Sequence, residues 1–63
     1  MSGKEQDILY WCWRSKSIPC IATIMNVSPN TIKFHLKNIY EKLGVGDKQM
    51  AVLHAIKFGL IQP

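Results

Sequence analysis

The chain has 63 residues, with 8 Lys and Arg against 4 Asp and Glu, and a formal net charge of +4. A chain of this size buries only about 60% of its unfolded surface, which leaves room for one domain over residues 1–63 and none for an enclosed substrate cavity, so most enzyme classes are excluded. The 48% apolar content exceeds that of a disordered tail, while no apolar stretch approaches the ~20 residues of a membrane span and the N-terminus lacks a secretory signal pattern.

Those features predict a cytoplasmic globular domain without a cofactor. Capping residues then divide the chain into four helical stretches, and nowhere do strand-forming residues alternate. Ser2 followed by Glu5 forms a capping box, in which hydroxyl and carboxylate each satisfy an unpaired backbone N–H. The first helix is expected over about residues 3–14. Ile8, Leu9 and Cys12 share its core face, Trp11 and Trp13 flank that face, and Asp7, Tyr10 and Arg14 point away. Ser17 caps a short second helix, 17–25, in which Pro19 falls in the first turn where its missing N–H costs nothing. The segment from Ser17 to Met25 carries no charge, which predicts burial on most sides, with Ile18, Ile21, Ala22 and Met25 at helical spacing.

Asn26 suits a left-handed turn. Ser28 as cap, Pro29 at the first helical position and Val27 as a staple open the third helix, 29–43, and Gly44 ends it. Asp47 starts the fourth, 47–58, which stops at Gly59. On that helix Ala51, Val52, Ala55 and Phe58 have core spacing, leaving Gln49, Met50, Leu53 and Lys57 on the remaining surface.

Cys12 and Cys20 read as buried free thiols, since disulfide-dependent mini-proteins usually carry more cysteines. With His35 and His54 they make a possible ligand set, but their intervals match no structural zinc spacing; no metal is expected. His35 reads as a structural residue at a helix seam, with a phosphate contact as the alternative, and catalysis is not expected because no Asp or Glu lies near either His in sequence and there are no paired carboxylates and no glycine-rich phosphate loop.

Two helices joined by Asn26, Val27 and Ser28 form a helix-turn-helix unit, with Ala22 small at the close approach and Ile32 packing back. Charge placement gives the unit a function. No Asp or Glu occurs from residue 8 to residue 40, an interval that contains Arg14, Lys16, Lys33 and Lys37. On the third helix Ile32, Leu36, Ile39 and Leu43 form the core face, and Lys33, Phe34, Lys37 and Asn38 gather on another. Lys donates to guanine acceptors or phosphate oxygens, Asn pairs with adenine or phosphate, and Phe contacts a thymine methyl. The same face would also fit a protein-interaction module, an antagonist or adaptor that kept the fold and docks an acidic partner.

The segments KEQDILYW, SKSIPCIA, NVSPNTIKFHLKNIYEKLGV and DKQMAVLHAIKFGLI resemble the DNA-binding output domain of the LuxR family of bacterial transcription regulators over nearly the whole chain. The resemblance implies an all-α domain of four helices, the third being the recognition helix in the major groove and the fourth pairing two copies. It implies base contacts from Lys33, Phe34 and Lys37, backbone contacts from Lys16, Ser17, Ser28, Asn30, Thr31 and Asn38, and a homodimer, weak in isolation, through Gln49, Met50, Leu53 and Lys57. An N-terminal sensor domain in the parent protein is also implied, and TIKFHLKN leans toward the quorum-sensing branch. Four positions depart from the family pattern: Ser15 and Asn26 stand where Gly is frequent, Trp13 where a small residue is common, and Cys20 where an acidic residue is usual.

Overall fold

A computed structural model describes residues 2–62. Four helices follow in chain order, α1 (Gly3–Trp13), α2 (Ile18–Met25), α3 (Pro29–Leu43) and α4 (Lys48–Lys57), and no strand occurs among the described residues. Each begins at a side chain placed to bind its first turn: Ser2, Ser17, Ser28 and Asp47 accept from the N–H groups of Glu5, Cys20, Thr31 and Met50. These are the expected starts, each cap worth about 1 kcal/mol. Ser2 and Glu5 complete the capping box reciprocally.

The helix ends share one device, a residue in the left-handed region: Ser15 (φ 63°), Asn26 (φ 58°), Gly44 (φ 68°) and Gly59 (φ 71°). After α1 the geometry is a Schellman turn, in which Ser15 N–H donates to the Cys12 carbonyl at 2.9 Å and Lys16 N–H to the Trp11 carbonyl at 3.0 Å, satisfying carbonyls the helix leaves open. Asn26 accepts this conformation at little cost. Ser15 does not, and the strain is the physical content of its departure from glycine.

Ile8, Leu9, Ile21, Ile32 and Ile39 are fully buried, and Cys12, Ala22, Leu36, Ala51, Ala55 and Ile61 complete the core. Each large aliphatic side chain removed from water contributes about 1.5 to 3 kcal/mol. The small Ala51 and Ala55 let α4 lie close to the rest of the bundle. Helix α3 packs against α1, α2 and α4, whereas α2 packs chiefly on α3.

Four expectations change. Phe58 is 63% exposed, because α4 ends at Lys57 and the chain turns at Gly59; Ile61, beyond the turn, is buried in the core instead. Tyr10 does not point away into water: it is half-buried and lines a shallow pocket with Gln6, Asp7, Leu60, Ile61 and Gln62, so the C-terminal tail covers that side of α1. Helix α2 buries only Ile21 and Ala22; with one principal neighbour it has one covered face, and Ile24 is 44% exposed. Cys20 is half-buried, whereas Cys12 is buried as expected, and both are free thiols.

Candidate nucleic-acid interface

The turn Asn26–Ser28 joins α2 to α3, and the first turn of α3 is held rigid by its cap. Ser28 Oγ accepts the Thr31 N–H at 3.2 Å and shares a hydrogen bond with Thr31 Oγ1 at 3.0 Å. Burial of Ile32, Leu36 and Ile39 fixes how α3 is rotated about its axis. At about 100° per residue the outward ridge then runs through Asn30, Phe34, Lys37 and Glu41, with Lys33 on one flank and Asn38 on the other. Asn30, Lys33, Phe34 and Lys37 are exposed, while Thr31 and Asn38 are half-buried. His35, half-buried, stands at the edge of this face with its ring centroid 6.0 Å from that of Phe34.

Lys16 and Ser17 are exposed in the turn between α1 and α2. Ser17 Oγ accepts the Cys20 N–H at 3.2 Å, so its lone pair is engaged in the cap and its O–H remains available as a donor. None of Arg14, Lys16, Lys33 and Lys37 enters an ion pair among the described residues; the single one there joins Lys42 to Glu5. Four uncompensated cations therefore lie in and around the helix-turn-helix unit, the electrostatic footprint of a polyanion site. Among the described residues no cluster of three or more His, Cys, Asp and Glu could hold a metal, and no helix is long and apolar enough to cross a membrane.

The outer face of α4 carries Gln49, Met50, Leu53 and Lys57, all exposed, with Met50 at 44% and Leu53 at 56%. Met50 and Leu53 each keep about half of their surface open to water. Beside them lies an open groove of about 550 Å³ between the end of α1 and α4, whose walls include Trp13, Val52, Leu53 and Ile56. Sequence reasoning flagged Trp13 as a departure but did not place it against α4; no periodicity within α1 could have done so.

Glu5 was assigned only to a cap. Its carboxylate also accepts from Lys42 Nζ at 2.7 and 2.9 Å, tying the C-terminal turn of α3 to the start of α1. The Lys42 hydrogen bonds, followed by that from the Ser2 backbone, pull its pKa from 4.5 down to about 2 against the opposing effect of burial.

A four-helix domain with a tight turn between α2 and α3 and a cationic outer face on α3 belongs to the helix-turn-helix class. Within that class the chain belongs to the luxR family of bacterial regulatory proteins, which it matches over residues 1–55. It is 39% identical over 62 residues to the transcriptional activator protein EsaR of Pantoea stewartii subsp. stewartii, covering 98% of this chain and 25% of that protein. It is also 39% identical over 61 residues to the probable transcriptional regulatory protein NarL of Mycobacterium tuberculosis, covering 97% of this chain and 28% of that one. Among solved structures, the transcription factor GerE superposes with a TM-score of 0.94 at 27% identity, over 98% of this chain and 92% of GerE. The response regulator ChrA of a heme-sensing two-component system superposes with a TM-score of 0.93 at 35% identity, over 95% of this chain and 30% of ChrA. The chain thus spans about a quarter of the length of the curated relatives it matches.

Proposed function

We propose that this chain is the DNA-binding output domain of a longer bacterial transcription regulator, binding double-stranded DNA sequence-specifically with α3 in the major groove. The observation that carries the reading is the outward face of α3, where Lys33, Phe34 and Lys37 stand exposed in an interval without a single carboxylate from residue 8 to residue 40. Lys33, Phe34 and Lys37 make the base contacts; Lys16, Ser17, Ser28, Asn30, Thr31 and Asn38 serve the phosphate backbone, Ser17 through the hydroxyl proton that its cap bond leaves free to turn. Family membership in transcription regulators argues against a catalytic role. The parent protein is cytoplasmic and carries the sensor domain N-terminal to these residues.

Two copies pair through α4. Met50 and Leu53 form an apolar patch flanked by Gln49 and Lys57, and the groove beside Trp13 extends it. Across a two-fold axis this patch meets itself and sets two α3 helices about 34 Å apart, one DNA turn. So small a contact gives weak pairing in solution, with DNA or the sensor domain supplying the rest.

Selection of bound fragments from a random duplex library, followed by affinity measurements across a salt series, tests the reading. A shared two-half-site sequence should emerge, and each phosphate contacted should add about −0.9 to the slope of log affinity against log salt. Binding only to an acidic protein, with no duplex selected, would favour the interaction-module alternative.

A further inference from the structure

Phe34 plays no part in the core of this fold, yet its position is sharply defined. It stands in the middle of the outward ridge of α3, directly opposite Ile32, Leu36 and Ile39, with 62% of its surface in water. The half-buried His35 ring lies beside it, 6.0 Å away between centroids. Glu41, at the far end of the same ridge, is exposed and repels phosphate, which keeps the last turn of α3 out of a groove. The length of ridge able to enter a groove is therefore Asn30 to Lys37, and Phe34 lies near its centre.

The floor of a major groove presents hydrogen-bonding groups on every base pair and one apolar feature, the 5-methyl group of thymine. A phenyl ring offers no conventional donor or acceptor. Pressed on guanine or unmethylated cytosine it would strip water from O6, N7 or N4 without replacing the hydrogen bonds, a net cost. Against a methyl group the same contact is favourable. We infer that Phe34 is a reader of the pyrimidine 5-methyl group: each half-site holds a thymine against the ring, and a cytosine in that place is bound more tightly once methylated at C5. This rests on the proposal that α3 enters the major groove, and it makes the domain sensitive to cytosine methylation at one position per half-site.

The test starts from the duplex that the library selection yields. Each thymine is replaced in turn by deoxyuridine, which deletes one methyl and keeps every hydrogen-bonding group. Burying one methyl-sized group changes affinity by about fourfold. One thymine per half-site should show that loss with the parent chain and no loss with Phe34→Ala. Exchanging cytosine for 5-methylcytosine at the same position should raise affinity by a similar factor, again only in the parent. Because the side chain is exposed, the melting temperature of Phe34→Ala should equal that of the parent. The inference is overturned if no thymine responds, if the response persists in Phe34→Ala, or if Phe34→Ala binds every duplex as the parent does, which would assign the ring to a protein surface. Failure to select any duplex would bring down the DNA-binding reading itself, and the methyl reader with it.

Discussion

Removing the charge of Glu5 should destabilise the domain only where that charge exists. Its side chain is 5% exposed and receives both Lys42 hydrogen bonds, while the Lys42 side chain is 54% exposed. The fall in pKa from 4.5 to about 2, at about 1.4 kcal/mol per unit, sets a ceiling of about 3.5 kcal/mol on the contribution of the ionised form. Because half of Lys42 is in water, screening reduces this to about 1 to 2 kcal/mol. A depressed folded-state pKa stabilises the protein fully above the unfolded value and loses that contribution as pH falls through the folded value, so the window runs from about 4.5 down to about 2. Glu5→Gln is the clean perturbation, since Gln at this position still completes a capping box. At pH 7 it should unfold at lower denaturant than the parent by about 1 to 2 kcal/mol, or roughly 4 to 16 °C in Tm for a domain this small. The difference should shrink steadily below pH 4.5 and vanish near pH 2. Other carboxylates are common to both proteins and cancel. Lys42→Met should reproduce the loss, with the double variant little worse than either single one. A parent-minus-variant difference that stays constant from pH 7 to pH 2.5, or additive single variants, would refute the ion pair as the cause.

Lys33→Ala and Lys37→Ala should each cost about 1 to 3 kcal/mol of duplex affinity and relax base preference at one position, measured against a set of single-base operator variants; unchanged discrimination in both would remove them from the base-reading set. Leu53→Asp should abolish cooperative occupation of paired half-sites while single half-site affinity falls only by the cost of an added negative charge, and titration of single against paired duplexes would show it. Ser15→Gly should raise stability by about 0.5 to 1 kcal/mol in chemical unfolding, since it relieves a left-handed residue at φ 63° for which glycine has no Cβ penalty; a loss of stability would mean that the serine side chain contributes more than its strain costs.

The helix starts were legible because a cap is a local contract: Ser2, Ser17, Ser28 and Asp47 each reach an N–H three residues on, and no distant segment is needed to satisfy it. The ridge of α3 was legible for a related reason, since its apolar spacing alone fixes which way Lys33, Phe34 and Lys37 turn. That spacing loses its meaning where a helix stops. Phe58 kept the core period on paper, but α4 ends one residue earlier and the turn at Gly59 sends Ile61 into the core. Burial of an uncharged segment was equally undecidable from α2 itself: how much of a helix is covered depends on how many neighbours reach it, and α2 has one principal neighbour. Tyr10 is shielded by the tail at Leu60 and Ile61, and Glu5 finds Lys42, 37 residues away. Both pairings join segments far apart in the chain. Hydrogen bonds and turns that close within one helical turn are written in neighbouring residues, whereas contacts between distant segments exist only once the packing of all four helices has set which faces meet.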